Sequence, residues 1–270
     1  MKMNVRFRAA TLGVAALATA FAAPQMALAI DRTEVTASPP APGRIPDRDA
    51  GARLNKPQFN NVRVTVEEGI ATLTGTVDLY QYKADAERRV LKANGVRSTR
   101  NLIEVSSSGV SDHQLQAQLV DRLAYDRVGF GNVFNAIGVG VDQGVVTLDG
   151  HARTYVDRAS ALALVSTTPG VLEVVDSIEV DPVSPMDDDI RIQVARAVYG
   201  DSALRKYMID PAKPIRISVQ RGNVSLYGTV NNRMDAQIAL VRANGVPGIF
   251  SVNSYLQVAG ETPASAERSN

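Results

Sequence analysis

Three stretches of the chain share one alternating pattern of hydrophobic and polar positions. In each stretch, apolar residues occupy every second position on both sides of a short polar link that ends in glycine. The three stretches are residues 62–75, 137–150 and 215–228. Because side chains two positions apart lie on the same face of a strand, each stretch predicts a β-hairpin with one buried face. The glycine predicts a three-residue loop whose last residue is left-handed.

A second glycine ends each hairpin pattern, at Gly75, Gly150 and Gly228. Glycine in a strand often marks a place where another backbone comes close. The sequence therefore predicts that the second strand of each hairpin stops at this glycine. It also predicts that a helix or another backbone segment packs against the glycine.

The residues after each hairpin predict a helix and a third strand. Small and apolar residues recur at matching offsets, and a Gly-Val pair ends the helical pattern. The pairs are residues 95–96, 170–171 and 245–246, and the last strands are residues 101–105, 176–180 and 254–258. Glycine directly after a helix commonly adopts the left-handed conformation that ends it. With these pairs equated, the third helix is three residues shorter than the other two and its link to the last strand is longer.

A further amphipathic helix is predicted before the second and third hairpins. Apolar residues recur there at every fourth position, which places them on one helix face. They are Leu115, Leu119 and Leu123 in the second copy and Ile190, Val194 and Val198 in the third. Ser111 and the three aspartates of residues 187–189 are the predicted caps of these helices. Before the first hairpin, residues 49–55 predict only a short turn.

These elements predict an α+β fold in which the order αββαβ occurs three times in tandem. Each copy has three predicted strands and two predicted helices, and the first helix is weak in copy one. The predicted units are residues 51–106, 111–181 and 186–259. A proline-rich linker over residues 30–50 precedes them, and a disordered tail over residues 260–270 follows. Units of this size bury a modest fraction of their surface, so we expect contacts between them.

The first 29 residues have the features of a secretory signal peptide. Basic residues precede an apolar run over residues 9–23, and Ala27-Leu28-Ala29 provides a cleavage site after Ala29. A retained membrane anchor is the alternative, but the run is short for a bilayer span. No later segment predicts a membrane span, and the sequence has no cysteine for a lipid anchor. We therefore expect a protein that is exported and is not a lipoprotein.

The charge balance argues against nucleic acid as a partner. The sequence carries 29 basic and 28 acidic side chains, and three of the basic ones lie in the predicted signal peptide, which has no acidic residue. The remaining chain therefore has 26 basic and 28 acidic side chains, a net charge of about −2. Attraction of the whole surface to nucleic acid requires an excess of positive charge. Any contact with an anionic partner must come from a local basic patch.

No combination of residues predicts an active site, a metal site or a cofactor site. The absence of cysteine excludes thiolate catalysis and zinc–thiolate sites. His113 lies in the polar first turn of a predicted helix, and His151 follows a strand glycine without triad partners. The aspartates of residues 187–189 suit helix capping better than cation binding, because a calcium loop needs alternating ligands and a glycine turn. We expect no catalytic residues, and hence that the protein is not an enzyme.

The repeated unit resembles the BON domain (bacterial OsmY and nodulation). The resemblance rests on the alternating hairpin, on Leu73-Thr74-Gly75, on the Gly-Val pair after the helix, and on the last strand, Asn101-Leu102-Ile103-Glu104-Val105. It implies small αββαβ sandwiches, each with both helices on one face of a three-stranded sheet. It also implies export to the periplasm and a non-catalytic role in the cell envelope, such as binding phospholipid surfaces, responding to osmotic stress or holding other envelope proteins. Two functions follow: an envelope-integrity module that binds anionic phospholipid headgroups, or a holdase-like or scaffold protein that binds envelope proteins.

Two stretches are candidates for these contacts. The helix of the first copy combines aromatic and basic side chains, which suits an anionic headgroup surface. The candidates are Tyr80, Tyr82, Lys83, Arg88, Arg89 and Lys92. An ordinary solvated helix face with internal ion pairs is the alternative. Phe130 and Phe134, in a glycine-containing loop, either form an exposed apolar contact site or pack against the edge of their own unit.

Overall fold

The computed structural model describes residues 45–106, 109–125, 132–211 and 213–260. These residues belong to one compact unit. The predicted signal peptide with its cleavage site at Ala29, most of the predicted linker, Phe130 and residues 261–270 lie outside the described residues.

Three repeats of the same order of elements follow one another. The first repeat consists of α1 (Ile45–Ala52), β1 (Val62–Glu67), β2 (Ile70–Val77), α2 (Tyr80–Val90) and β3 (Ser98–Val105). The second consists of α3 (Asp112–Tyr125), β4 (Ala136–Asp142), β5 (Val145–Ala152), α4 (Tyr155–Ser166) and β6 (Glu173–Val180). The third consists of α5 (Pro185–Gly200), β7 (Arg216–Gln220), β8 (Asn223–Val230), α6 (Arg233–Asn244) and β9 (Ser251–Val258). The α+β prediction of three tandem αββαβ units is confirmed.

Each repeat contains a three-stranded sheet whose middle strand is the second arm of the hairpin. The first strand pairs with it antiparallel, and the third strand pairs with it parallel after the intervening helix. Both helices of a repeat pack on one sheet face, and a hydrophobic core lies between them. Core residues include Leu73, Val90 and Ile103 in the first repeat, Leu119, Leu148 and Val165 in the second, and Val194, Leu226 and Ala239 in the third.

The hairpin loops have two residues, not the predicted three. Glu67 pairs directly with Ile70, which leaves Glu68 and Gly69 as the loop, with φ of 50° and 80°. The equivalent loops, 143–144 and 221–222, also have two residues with positive φ. Two positive φ values define a type I′ turn, whose twist matches that of the flanking strands. The glycine was predicted in the right conformation, but the residue before it is left-handed as well.

An aspartate at the start of the preceding helix holds this turn in the second and third repeats. The Asp112 carboxylate accepts hydrogen bonds from the backbone N–H groups of Gln143 and Gly144 at 2.7 and 2.9 Å. The equivalent Asp187 accepts from residues 221 and 222 at 2.9 and 2.8 Å. Asp187 was predicted to cap its helix, but that cap is Ser184, whose hydroxyl accepts from the Asp187 N–H.

The three strand glycines are sites of close backbone approach, as predicted. A Cβ at Gly75 would lie 1.9 Å from the carbonyl oxygen of Asn61. The equivalent distances are 2.1 Å at Gly150 and 2.6 Å at Gly228. The strands do not stop there, however, because each continues for two residues beyond its glycine.

The third repeat does not have a shorter helix. Helix α6 has 12 residues, as α4 does. Gly248 has a φ of +85°, close to the values of Gly95 and Gly170, whereas Gly245 has a right-handed φ of −77°. The equivalent of the first two glycines is therefore Gly248, and the prediction that equated Gly245 with them is wrong.

The first helix of repeat one is present but short, as the weak pattern predicted. Helix α1 has 8 residues, against 14 and 16 in α3 and α5. It begins at Ile45, inside the stretch predicted as a linker. The buried side chains of Ala50, Leu54 and Phe59 cover the core that a longer helix covers in the other repeats.

One carboxylate in the third repeat predicts a stability change in acid. Lys206 Nζ lies 2.7 Å from Asp235, and the Tyr207 hydroxyl donates to the same carboxylate at 2.6 Å. Burial raises the pKa of Asp235, but the hydrogen bonds from Lys206 and Tyr207 outweigh it and hold that pKa below its ordinary value. A carboxyl with a lowered pKa stabilises the fold above its unfolded pKa of about 4. That stabilisation is lost as the pH falls through the folded pKa.

We therefore expect Lys206→Met to reduce the loss of stability in acid. Thermal unfolding followed by circular dichroism, from neutral pH down to about pH 2, measures this loss. Lys213→Met removes an exposed cation from the same repeat and should behave like the unsubstituted protein. Equal acid sensitivity in the Lys206 variant and the unsubstituted protein would show that the Lys206–Asp235 pair does not cause it.

Candidate binding surfaces

Tyr80, the first residue of α2, lies in the joint between the first two repeats. Its half-buried ring packs against the core of the second repeat, and it hydrogen-bonds to the backbone of Val174 in β6. Burial, and next the negative charge of Glu173, raise the pKa of the Tyr80 hydroxyl. Helix α2 also contacts α4. Tyr80 is thus engaged within the chain and is not on a free helix face.

Tyr82 and Arg89 pack around Phe59, in the core of the first repeat. The rings of Tyr82 and Phe59 meet edge to face with centroids 6.5 Å apart, and the Arg89 guanidinium lies 5.8 Å from the Phe59 centroid. Arg89 Nε is 2.6 Å from the Asp85 carboxylate. Lys83 is half-buried, and its carbonyl accepts a hydrogen bond from Asn101. Much of the predicted candidate set therefore supports the fold.

The remaining candidates line a basic recess on the first repeat. This open cavity, of about 300 Å³, is lined by Arg53, Asp85, Arg88, Arg89 and Lys92. Arg53 directly follows α1, Arg88 and Arg89 lie in the last turn of α2, and Lys92 follows that helix. The side chain of Arg88 is 69% exposed, and its guanidinium is 3.5 Å from Asp85. Guanidinium and ammonium groups in this arrangement can bind phosphate or carboxylate groups.

Arg53 could not be identified from the sequence, because residues 49–55 predict only a turn. In the structure its Nε is 3.6 Å from Asp49, one turn earlier. That Nε atom is buried and makes no hydrogen bond with any described residue. The contact between α1 and α2 brings Arg53 to the C-terminal end of α2. Arg88 and Arg89 lie in the last turn of that helix, where their positive charges interact favourably with the negative end of the helix dipole.

Phe134 lies in the core of the third repeat, although it belongs to the second. The sequence had offered two interpretations, an exposed contact site or packing at the edge of its own repeat. Both are wrong, because the side chain is 4% exposed and lies in the core of the next repeat. The preceding residue, Val133, accepts a backbone hydrogen bond at 2.7 Å from Ile217 in β7. The Arg153 guanidinium lies 5.8 Å from the Phe134 ring centroid. Phe134 therefore forms the apolar part of the joint between the second and third repeats.

Buried charges form the polar part of the same joint. Asp181, directly after β6, is 2% exposed, and Arg191 of α5 donates to it from Nη2 at 3.1 Å. The same nitrogen donates to the Val219 carbonyl at 3.0 Å. Ser218 and Gln220 also donate to Asp181, at 3.3 and 2.9 Å. Arg191 further pairs with Asp188, and its Nε is buried without a partner among the described residues.

His151 lies at this joint, where it lines an open recess of about 300 Å³ together with Ser218 and Gln220. Its Nδ1 lies 3.0 Å from Gln220 Nε2 and 3.6 Å from Asp181. His113 is exposed at the start of α3. Among the described residues, no three His, Asp or Glu side chains are grouped closely enough to hold a metal ion. In the same ranges, no helix is both long and apolar enough to cross a membrane.

Comparison with known proteins finds low overall similarity to solved structures. The chain is similar to the C-terminal domain of CdsD, the structural protein of the type III secretion system of Chlamydia trachomatis. Their identity is 16% over 78% of this chain and 96% of that one, with a TM-score of 0.23. The PrgH periplasmic domain is 8% identical over 78% of this chain and 98% of that one, with a TM-score of 0.21.

The family comparison is much more specific. Among curated proteins, no relative matches the sequence. The BON domain family, in contrast, matches it three times, at residues 49–107, 111–182 and 187–260. These ranges coincide with the three repeats of the structure and cover most of the chain. The protein therefore belongs to the BON domain family and carries three tandem BON domains.

Proposed function

We propose that this protein is a non-catalytic component of the bacterial envelope that binds anionic phospholipid surfaces through the basic recess of its first repeat. The observation that carries the proposal is the convergence of Arg53, Arg88, Arg89 and Lys92 around one open cavity. The chain as a whole is close to neutral, so attraction to an anionic surface needs such a local excess of cations. Binding of other envelope proteins, the second function that the resemblance implies, stays a prediction.

The charges of the recess set the expected strength of this binding. A basic side chain close to an anionic membrane contributes about 1 kcal/mol. Two nearby carboxylates, Asp49 and Asp85, offset two of the four cations. The net attraction is then about 2 kcal/mol, which corresponds to weak, reversible and salt-sensitive association. Peripheral binding of this kind suits a protein that moves between the membrane surface and the periplasm.

Co-sedimentation with vesicles tests the proposal. We expect the protein to bind phosphatidylglycerol vesicles at low salt and to bind phosphatidylcholine vesicles much less. Arg88→Gln together with Lys92→Gln removes two cations and should weaken binding about 30-fold, since each cation supplies about 1 kcal/mol. Arg63→Gln together with Arg100→Gln is the matched control, because both are exposed cations on the sheet strands of the same repeat.

Two outcomes would contradict the proposal. One is no binding to anionic vesicles even at low salt. The other is an equal loss in the control variant, which would mean that charge anywhere on the first repeat has the same effect. We also expect the signal peptide to be removed on export. The protein recovered from the periplasm should therefore begin at Ile30.

A further inference from the structure

The joint between the first two repeats shows how one BON repeat can dock on the next. We call the first residue of the helix after the hairpin the knob, which is Tyr80 in the first repeat. The socket is the start of the third strand of the next repeat, with the helix that precedes it. Tyr80 packs against the second repeat at Val174, beside Glu173, and α2 contacts α4.

The second repeat carries the same knob, but it is not seated. Tyr155 is the first residue of α4, as Tyr80 is of α2. Its side chain is 72% exposed, and the next residue, Val156, is 77% exposed. The third repeat has Arg233 at this position, so it has no tyrosine knob. The described chain thus contains one seated tyrosine knob and one exposed one.

The third repeat carries the equivalent socket, and the residue directly before it is an exposed phenylalanine. Ser251 and Val252 begin β9 as Glu173 and Val174 begin β6, with the same pairing register after the turn glycine. Phe250 precedes them and is 78% exposed. Its N–H donates to the Gly222 carbonyl as that of Leu172 donates to Gly144, so the two side chains hold equivalent positions.

The socket of the third repeat is more apolar than the one that Tyr80 fills. Phe250 stands where the second repeat has a half-buried leucine, Leu172. Val241, in the last turn of α6, is 66% exposed and stands where α4 has Ala163. Both residues flank the short link between α6 and β9. Large apolar side chains that stay exposed at a strand start equivalent to an occupied one indicate a contact surface.

The two free halves cannot meet within this molecule. The third repeat is fixed on the second by a different joint, through Phe134 and the buried Asp181–Arg191 pair. With that joint formed, Tyr155 remains exposed and so does Phe250. A tyrosine knob for this socket can therefore come from a second copy of the chain.

We propose that the knob of one molecule, Tyr155, docks together with the neighbouring Val156 on the socket of a second copy, formed by Phe250, Val241 and the start of β9. The interface joins different surfaces of the two molecules, so each molecule retains one free knob and one free socket. Association of this kind continues into open chains or closes into rings. It goes beyond lipid binding, because the basic recess of the first repeat takes no part in it.

Sedimentation velocity over about a hundredfold range of protein concentration tests the proposal. The sedimentation coefficient of the unsubstituted protein should rise with concentration. Tyr155→Ser and Phe250→Ser should each remain monomeric over the whole range. An equimolar mixture of the two variants should form a dimer and nothing larger, because one variant retains the socket and the other the knob. Ile209→Ser, at another exposed apolar site of the third repeat, is the control and should associate normally.

A thiol crosslink provides a second measurement, because the chain has no cysteine. A mixture of Val156→Cys and Ser251→Cys variants, which keep Tyr155 and Phe250, should give a disulfide-linked pair on oxidation, and either variant alone should give much less. Several results would overturn the proposal: a monomer at every concentration, association that survives both serine substitutions, or an equal loss in the Ile209 control. The proposal would also be overturned if the protein stayed monomeric and retained a different envelope protein through Tyr155. The knob would then bind that partner.

Discussion

Phe134→Ala is expected to destabilise the third repeat by about 3–5 kcal/mol, the usual cost of removing a buried phenylalanine ring. The ring is 4% exposed in a core formed mainly by the third repeat, although it is attached to the second. Its removal leaves a cavity at the joint and takes away the apolar contact that holds Val133 against β7. The substitution should therefore loosen the two repeats from each other as well as the third core.

Hydrogen exchange measured by mass spectrometry locates this effect. The N–H of Ile217 donates to the Val133 carbonyl across the joint, so its protection should fall strongly in the Phe134 variant. Phe59→Ala is the matched control, because Phe59 is 2% exposed in the core of the first repeat. That variant should lose protection in β1 to β3 and keep it in β7. Unchanged exchange in β7 of the Phe134 variant would show that this ring does not join the repeats.

The hairpins could be predicted from the sequence because their signal is local and repeated. Val64, Val66 and Leu73 alternate with polar residues, and the structure places them toward the helices. The same pattern occurs three times, which makes chance alternation a poor explanation. A side-chain period of two is set by the geometry of the strand itself, so it is visible without knowing the rest of the fold.

Phe134 shows what local pattern cannot supply. The sequence marks it as a large apolar residue in a loop, and burial of such a residue is expected. Which core receives it depends on how two repeats are arranged, and no periodicity within one repeat carries that information. The same limit applies to Arg53, which joins the basic recess only because α1 contacts α2.

The third glycine was missed for a different reason. The dipeptide Gly-Val occurs at residues 245–246, and the prediction followed that match. The distance from the strand glycine instead selects Gly248, which lies as far from Gly228 as Gly95 does from Gly75. Backbone conformation follows the spacing, since Gly248 is left-handed and Gly245 is not. In a repeated fold, a conserved distance between structural glycines is thus a better guide than a matching dipeptide.

The two joints of the chain differ in their physical basis. The first combines Tyr80, which packs on the second core and hydrogen-bonds to the Val174 backbone, with a contact between α2 and α4. Among the described residues, no buried ion pair joins these two repeats. The second combines a buried aromatic ring with an ion pair whose members are both about 2% exposed. Buried charges tolerate little displacement, because any gap leaves them without partners. We therefore expect the second and third repeats to move as one body and the first to move more freely.

Arg191→Met is expected to cost about 3–5 kcal/mol, because it leaves Asp181 buried without its cation. Ser218 and Gln220 still donate to the carboxylate, but neither neutralises its charge. The Val219 carbonyl also loses its side-chain donor. Chemical denaturation gives the free energy of unfolding for this variant and for the double variant Asp181→Asn with Arg191→Met. The double variant should recover a large part of the loss, since the stranded charge is gone.

Arg158→Met provides the matched control on the surface of the second repeat. Arg158 pairs with Asp176 at 2.7 Å, but both side chains retain contact with solvent. Water screens such a pair, so its loss should cost less than about 1 kcal/mol. If Arg191→Met were as mild as Arg158→Met, the buried pair would not determine the stability of the joint. If the double variant were no more stable than Arg191→Met, the loss would come from packing of the arginine side chain and not from the unpaired charge of Asp181.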